Sequence, residues 1–486
     1  MVNRTVQFFK GISTQTIVTI LMGVVELVVF AILSRLLSKT DFGYFATLSG
    51  IIMIVMSISE AGLGASIIQK KNISDTFIST AFTWSCLLGC VASLIVFLFA
   101  PFLAEIIVDK ALTIPLRIMS VTIFLHSLIS VGNGILYREL SFKIVGYISV
   151  LSYIISSVIS VVIASQGGGL TAVIVLPVAN TILQILGISF FVKWPQLRIL
   201  KSETKEIFSF GGWLTFGVIF NNLTHQLDKL LLPKWMSIDT LGAYNRPAGF
   251  VSSISTKLNG IFDTVLFPIL SDLQENRTKV NGVFNMAISL LNSFSIILFA
   301  LFFFNAHLII SVFFGNKWID LVPIMQIVSI SVIFNINGRL VDCFFRSLAY
   351  VKLGFYLRVL SVVITLICIY VGSSYGISGV AVAIVMANVT NILIKLGALA
   401  IKTDTSLLEV VKRMLIAWRS VLPILPIGVT FLIVRCDSLS YDICFAFIFV
   451  IVVVLEFIYF PKFIGETYLF RVYPIVNKMI PKMMRR

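Results

Sequence analysis

Apolar runs of about 20 residues recur along the whole chain and are separated by short polar segments. Each run is long enough to cross about 30 Å of hydrocarbon as a helix, because a helix rises about 1.5 Å per residue. The short alternating segments of a membrane β-barrel are absent from the pattern. Fourteen membrane helices are predicted, at 12–34, 43–66, 77–103, 112–136, 145–165, 170–192, 207–232, 242–269, 283–305, 321–345, 354–374, 377–401, 418–436 and 441–461.

The composition agrees with this pattern. The chain is 58% hydrophobic and only 12% charged, with a mean hydropathy of +1.03, whereas soluble domains carry about 25% charged residues. So few polar residues cannot cover a soluble surface, and most of the surface is therefore expected to face lipid. We predict an all-α membrane protein of about 14 transmembrane helices with almost no soluble domain.

The formal net charge of +15 follows topology rather than nucleic-acid binding. If the N-terminus lies inside, cytoplasmic loops and adjacent helix ends hold 26 of the 37 Lys and Arg residues, among them Arg358 and Lys395. Positive charge concentrates on the cytoplasmic side of membrane proteins. This distribution predicts that both termini lie in the cytoplasm, and no nucleic-acid partner is expected.

Two polar links, at about 193–206 and 402–417, divide the chain into six helices, six helices and a final pair. The predicted domains are an N-lobe at 1–200 with helices 1–6 and a C-lobe at 201–404 with helices 7–12. The last domain, 405–486, holds helices 13–14 and a cytoplasmic tail.

The two six-helix blocks also match each other in sequence. The matches come in chain order at equivalent places in the topology, which predicts a parallel repeat with a site between the lobes. The matched pairs are 33–43 (LSRLLSKTDFG) with 232–242 (LPKWMSIDTLG), 137–142 (YRELSF) with 345–350 (FRSLAY), and Ala179-Asn180 with Ala387-Asn388.

Three motifs resemble signatures of bacterial oligosaccharide flippases, the O-antigen and polysaccharide branch of the multidrug/oligosaccharidyl-lipid/polysaccharide exporter superfamily. They are RLLSKTDFG at 35–43, LYRELSFK at 136–143 and LFPILSDLQ at 266–274. The resemblance spans at least residues 12–400. It implies a V-shaped, two-lobed fold with a central cavity. It also implies transfer of an undecaprenyl-pyrophosphate-linked oligosaccharide across the bacterial inner membrane for O-antigen, capsule or exopolysaccharide assembly.

The expected partners are a lipid-linked oligosaccharide and membrane lipids, with a polysaccharide polymerase and a chain-length regulator as candidate protein partners. No catalytic residue, cofactor or metal site is expected, and a proton or sodium ion is the candidate coupling ion. Cys86 and Cys90 lie four apart on one helix face, but without a neighbouring His or carboxylate they are interpreted as apolar packing.

Charged side chains inside a membrane are costly and normally face a partner or a wet cavity. We predict an anion site for the pyrophosphate from Lys257, Arg339 and Arg246, because Arg and Lys hold phosphates well. The predicted coupling or cavity-lining polar residues are Glu26, His225, Asp228, Asn221 and Asp342.

Five of these residues also have a purely structural interpretation. Arg339 and Asp342 lie three apart on one helix and would neutralise each other. Arg246 and Asp228 lie near the external end, where long side chains reach water. His225 would serve equally well as a hydrogen-bonded structural residue.

Two other functions remain open. A multidrug exporter of the same superfamily could use Glu26 or Asp228 for protons, but a cation-rich cavity suits cationic drugs poorly. A membrane-embedded glycan polymerase or acyltransferase would need a large external loop or a catalytic histidine. No such loop is present, and His126 and His225 belong to no recognisable catalytic constellation. P-loop and nucleophile-elbow motifs are also missing from the sequence.

Overall fold

The computed structural model describes residues 2–60, 62–70, 73–272, 277–348, 350–403, 407–422, 424–433 and 439–459. Within these ranges every regular element is helical and no strand occurs, which confirms the all-α prediction. The α-helices are α1 (Val2–Leu36), α2 (Lys39–Glu60), α3 (Leu63–Gln69), α4 (Asp75–Ile107), α5 (Thr113–Arg138), α6 (Phe142–Ser165), α7 (Leu170–Ser189), α8 (Lys201–Trp235), α9 (Ile238–Asp272), α10 (Arg277–Phe304), α11 (Ala306–Ile309), α12 (Val322–Ser329), α13 (Ser331–Ser347), α14 (Val351–Ser373), α15 (Gly376–Thr403), α16 (Leu407–Ile416), α17 (Leu425–Ile433) and α18 (Leu439–Tyr459).

Within the described residues, each predicted apolar run coincides with one helix or with consecutive helical segments. Among the described residues, ten helical segments are long and apolar enough to cross a membrane, so the chain is a multi-pass membrane protein. The runs at 207–232, 242–269, 418–436 and 441–461 are not among those ten. Helices α8 and α9 have 35 residues each and are long enough, but they carry many polar side chains. The total of fourteen spans therefore stays a prediction.

The helices form two compact units, Met1–Asn245 and Arg246–Arg486. In the first, α5 packs on α4 and α7, and α2 packs on α5 and α8. In the second, α10 packs on α13, while α15 packs on α12, α13 and α14. The six-plus-six-plus-two layout stays a prediction, and its boundary at 404–405 and the basic tail after residue 459 lie outside the described residues.

The first motif and its repeat both form helix N-caps. Ahead of α2, the Ser38 backbone N–H donates to Asp41 Oδ2 at 3.0 Å, and the Asp41 N–H donates back to Ser38 Oγ at 3.1 Å. This reciprocal pair is a capping box. Ahead of α9, the Thr240 N–H donates to Ser237 Oγ at 3.2 Å. The sequence match at 33–43 and 232–242 thus reflects two equivalent helix starts.

These two helix starts lie against each other inside the first unit. A Cβ atom at Gly43 would collide with the backbone oxygen of Ile238, and one at Gly242 would collide with that of Lys39. The contact is reciprocal, because Gly43 and Lys39 correspond to Gly242 and Ile238 in the repeat. Between them the Thr40 hydroxyl donates to the Asp239 carboxylate. Only glycine allows backbones to approach so closely.

The second motif, at 136–143, also has a structural role. Arg138 Nη1 donates to the carbonyl oxygens of Ile67 and Lys70 at 2.8 and 2.6 Å, which satisfies the exposed C-terminal end of α3. Leu140, two residues after the end of α5, has a φ of 60°, a left-handed conformation that is uncommon for residues other than glycine. The third motif lies at the end of α9, and its last two residues, Leu273 and Gln274, lie outside the described residues.

The link predicted at 193–206 is shorter than expected because α8 begins at Lys201. Its extended part lies along α4, where the Thr83 hydroxyl and the Arg198 backbone exchange hydrogen bonds of 3.0 and 2.8 Å. Lys70 contacts Glu203 and Glu206 at 3.3 and 2.7 Å. Burial alone would lower the pKa of Lys70, but the hydrogen bonds to Glu206 and Glu203 outweigh burial and raise it.

We expect Gly43→Ala to destabilise the protein, because the added methyl group collides with backbone rather than with a movable side chain. Overpacking of this kind costs about 1–3 kcal/mol. Gly249→Ala is the matched control, since a Cβ there meets nothing within 4 Å and alanine favours a helix. Thermal unfolding of the detergent-purified variants measures both. Equal melting temperatures for the two variants would contradict the reciprocal contact.

Candidate functional site

Helix α8 carries two polar stripes, one residue apart in sequence. Asn222 donates to Ser57 Oγ at 2.7 Å, Gln226 contacts Met53 Sδ at 3.3 Å, and the Lys229 carbonyl accepts from Thr47 at 3.3 Å. Ser57, Met53 and Thr47 all belong to α2. This stripe therefore explains part of the polarity of α8 as packing against α2.

The stripe predicted from the sequence, Asn221, His225 and Asp228, is rotated by about 100° from that packed face. The structure brings these residues to one side of α8, where His225 is exposed and Asn221 is half-buried. Asp228 accepts hydrogen bonds from the Tyr244 hydroxyl and from the Lys229 backbone N–H, the latter at 2.9 Å. Asp228 is thus fixed between α8 and the start of α9.

Glu26 lies on the inward-facing side of α1. The exposed face of this helix is apolar and includes Ile17, Ile20, Val24 and Val28. Glu26 lies nine residues after Ile17, about 180° around the helix, and is partly buried. Its side chain therefore points away from the face that suits lipid, as a coupling or cavity residue requires.

The three predicted cations all belong to the second unit. Arg246 is buried and Lys257 half-buried on α9, and their spacing of eleven residues puts them on similar faces of that helix. Arg339 is half-buried on α13, where it contributes to the charge around Asp342.

Asp342 is the centre of a cationic cluster formed by α13, α14 and α15. Its Oδ2 lies 2.9 Å from Lys395 Nζ, with both side chains largely buried. Arg358 and Arg339 also interact electrostatically with Asp342, and Arg346 and Arg339 repel Arg358. The structure pairs Asp342 with Lys395 of another helix, rather than with Arg339 three residues earlier on its own helix.

The cationic cluster has more positive than negative charge. Asp342 supplies one negative charge against three positive charges from Lys395, Arg358 and Arg339. Arg358 Nε is buried and is among the described side-chain atoms that lack a hydrogen-bond partner. A group with this charge and an unsatisfied donor suits a dianionic ligand such as a diphosphate.

The sequence did not indicate Lys395 and Arg358 as candidate site residues, because both lie near predicted cytoplasmic helix ends. Lys395 lies eight residues before Thr403, the last residue of α15, about 12 Å along the axis. A signal was available in the sequence, since Asp342 is an acid at membrane depth and needs a cation. That cation lies on a neighbouring helix, where periodicity along α13 does not point to it.

A second pair that sequence reasoning missed lies in the first unit. His126 Nδ1 on α5 lies 2.8 Å from Glu60 Oε1 on α2, and both side chains are about one-third exposed, at 39% and 34%. The contact is a close approach of two titratable groups rather than an aligned hydrogen bond. It gives His126 a partner that its own helix does not supply.

Comparison with known proteins identifies related chains and folds. The family model described as "Polysaccharide biosynthesis protein" matches residues 32–323. The lipopolysaccharide biosynthesis protein WzxC of Escherichia coli (strain K12) is 22% identical over 80% of this chain and 79% of that protein. The teichuronic acid biosynthesis protein TuaB of Bacillus subtilis (strain 168) is 24% identical over 69% and 71%.

Among solved structures, the lipid II flippase MurJ in an inward closed conformation aligns with a TM-score of 0.69 at 15% identity. The alignment covers 94% of this chain and 98% of that one. An inward-facing multidrug resistance MATE family transporter of the MOP superfamily gives a TM-score of 0.65 at 14% identity, over 76% of this chain and 92% of that one. These two likenesses show that the chain shares their helical fold.

We expect Asp342→Asn to destabilise the protein more than Lys395→Met. The first change leaves three cations without an acid, whereas the second leaves Asp342 beside Arg358 and Arg339. Breaking a buried ion pair costs about 3–5 kcal/mol when a charge is left uncompensated. Sulfate or pyrophosphate should restore the melting temperature of Asp342→Asn, because an anion bound to the native state stabilises it.

Glu105→Gln is the control, since Glu105 pairs with Lys110 on the exposed surface, at 3.6 Å, where ion pairs contribute little. Equal melting temperatures for the Asp342 and Lys395 variants, with no rescue by anions, would indicate that the cationic cluster does not bind anions.

Proposed function

This chain belongs to the polysaccharide biosynthesis protein family, and we propose that it is a flippase for an undecaprenyl-pyrophosphate-linked oligosaccharide repeat unit. In this proposal it moves the repeat unit across the bacterial inner membrane for O-antigen, capsule or exopolysaccharide assembly. The earlier resemblance to bacterial oligosaccharide flippases is confirmed by the family match over residues 32–323 and by the relatives WzxC and TuaB.

The single observation that carries the proposal is the excess positive charge around Asp342. Lys395, Arg358 and Arg339 lie on helices that are apolar enough to span the membrane. A cation at membrane depth costs about 2.5–3.5 kcal/mol on insertion scales. One acid among three cations does not neutralise that charge, whereas a bound pyrophosphate would.

We assign the diphosphate to Arg339, Lys257 and Arg246, and we add Lys395 and Arg358 to that group. Arg is suited to bidentate contacts with phosphate oxygens, and Lys acts as a point charge. Asn221 and Asp342 serve as polar or charge-setting residues in this proposal. Glu26, His225 and Asp228 are the proposed coupling residues for a proton, a sodium ion or the membrane potential.

The proposal also includes the topology predicted from the sequence. Two six-helix lobes in parallel repeat and a terminal helix pair give fourteen spans, with both termini in the cytoplasm. The equivalent N-caps at Ser38 and Ser237 support a repeat. A polysaccharide polymerase and a chain-length regulator are the proposed protein partners, and the protein itself is proposed to be a transporter rather than an enzyme.

A multidrug exporter is the alternative, because a multidrug resistance transporter shares the fold. The charge of the cationic cluster favours an anionic substrate over the cationic compounds that drug exporters handle. Efflux of a cationic dye by the purified protein in vesicles, without translocation of a lipid-linked glycan, would favour the alternative.

We expect the double variant Lys257→Ala/Arg339→Ala, and separately Lys395→Ala, to abolish translocation of a lipid-linked oligosaccharide in proteoliposomes. Loss of a charge that contacts phosphate removes a charge-assisted hydrogen bond of about 1.5–3 kcal/mol, and two such losses reduce affinity about 100-fold or more. Lys352→Ala/Lys412→Ala is the control, because both side chains are exposed. Membrane levels of all variants are measured alongside, and full translocation by the double variant would refute the assigned site.

Deletion of the gene is expected to leave intact, unpolymerised lipid-linked repeat units on the cytoplasmic face. Leaflet-specific labelling of the glycan, with the wild-type gene restored as a control, measures this distribution. If single repeat units collect on the periplasmic face instead, the protein acts after translocation and is a polymerase.

A further inference from the structure

A cavity of ≈ 440 Å³ lies in the second unit, where the end of α10 and the start of α12 meet α17 and α18. Its polar lining consists of His307, Asp320, Gln326 and Asp442. Cavities of about 300–1,000 Å³ are typical of small-molecule sites. None of these four residues belongs to the proposed diphosphate site, and the cavity is therefore separate from that site.

The polar wall is built around a rigid pair. His307 Nδ1 lies 2.6 Å from Asp442 Oδ2, and Asp442 is only 2% exposed. A carboxylate behind one ring nitrogen fixes the orientation of the imidazole and leaves Nε2 as the nitrogen that a ligand can engage. The pair also connects α11 to α18, and this contact holds α18 against the cavity.

The charge of the lining disfavours anionic ligands. Asp320 and Asp442 are both carboxylates, and the residues that line the cavity include no Lys or Arg. A phosphate or an acidic sugar would be repelled here, in contrast to the cationic cluster around Asp342. A metal ion is also a poor fit, since no group of three His, Cys, Asp or Glu side chains among the described residues is arranged to hold one.

The rest of the lining is aromatic and apolar. Phe303, Phe304 and Phe431 contribute ring surfaces, and Phe431 is held in place by stacking on Phe445 at 3.8 Å between ring centroids. Sugar rings present C–H faces that pack on aromatic rings and hydroxyl edges that both donate and accept hydrogen bonds. The carboxylates of Asp320 and Asp442 accept hydrogen bonds, and the Gln326 amide both donates and accepts them. The His307 imidazole supplies one further hydrogen-bonding nitrogen.

We propose that this cavity binds a sugar residue without acidic groups and discriminates against uronic acids. The inference rests on the proposed function, since the sugar would be part of the glycan that the flippase carries. In this proposal the two sites bind different parts of the substrate. The cationic cluster binds the diphosphate, and the acidic cavity binds a neutral or amine-bearing sugar.

The test is binding of methyl glucoside, methyl galactoside, glucosamine and glucuronate to the purified full-length protein in nanodiscs, by saturation-transfer NMR. At least one of the non-acidic sugars should bind about tenfold or more tightly than glucuronate, a difference of about 1.4 kcal/mol. Asp320→Asn should reduce this discrimination, and Gln326→Ala should weaken binding of the non-acidic sugar.

Controls separate binding from folding. Glu105→Gln removes an exposed carboxylate outside the cavity, and Phe447→Leu removes an exposed ring of α18. Both control variants should bind sugars as the wild type does. Melting temperatures show whether the Asp320 and Gln326 variants fold. The inference is overturned if no sugar binds, if glucuronate binds as well as the others, or if neither cavity variant changes binding. Displacement of the sugar by phosphatidylethanolamine would assign the cavity to lipid and would also overturn it.

The outcome is independent of the diphosphate site. Lys257→Ala/Arg339→Ala should retain sugar binding even though translocation is lost. If the wild-type protein binds sugar but translocates no lipid-linked glycan, the result counts against the proposed function and not against the cavity. Normal translocation with no sugar binding would count against the cavity alone.

Discussion

The absence of water in the hydrocarbon phase is the constraint on which this structure depends. Every charge that enters the membrane must find a partner, because its desolvation is not repaid by lipid. Asp342 and Lys395 meet this requirement across two helices at 2.9 Å. The same requirement leaves Arg358 and Arg339 beside a carboxylate that is already paired. The chain therefore keeps positive charge in its membrane helices that its own described residues do not balance.

A second constraint is the close approach of the two helix starts at Ser38 and Ser237. Each start needs a cap, because the first backbone N–H groups of a helix have no partner within it. The reciprocal positions of Gly43 and Gly242 allow the two capped ends to touch, and Thr40 and Asp239 add a polar contact. Local capping chemistry thus accounts for the motif that first indicated the family.

The sequence predicted the helices well, whereas the functional site drawn from it stays a prediction. Runs of apolar residues predicted helices because membrane helices must be about 20 residues long, and the motif at 33–43 pointed to a repeat. The polar residues of α8 were harder to interpret. Asn222, Gln226 and Lys229 pack against α2, and periodicity alone does not separate that stripe from Asn221, His225 and Asp228.

The side-chain pairs that the sequence did not predict are contacts between different helices. Lys395 is 53 residues from Asp342, His126 is 66 residues from Glu60, and His307 is 135 residues from Asp442. Helical spacing relates only positions about three or four apart, so none of these pairs has a local signal. Arg138 was visible in a motif, but its role in capping α3 depends on the packing of α5 beside that helix.

The pairing of Asp342 with Lys395 also bears on release of the substrate. A transporter must bind its cargo well enough to capture it and weakly enough to let it go. An isolated group of three cations would hold a diphosphate tightly. In the proposed site, Asp342 would compete with the phosphate for Lys395 and the neighbouring arginines, and it would take up their charge again when the substrate leaves. Removal of that acid should therefore favour binding over release, so that affinity rises while turnover falls.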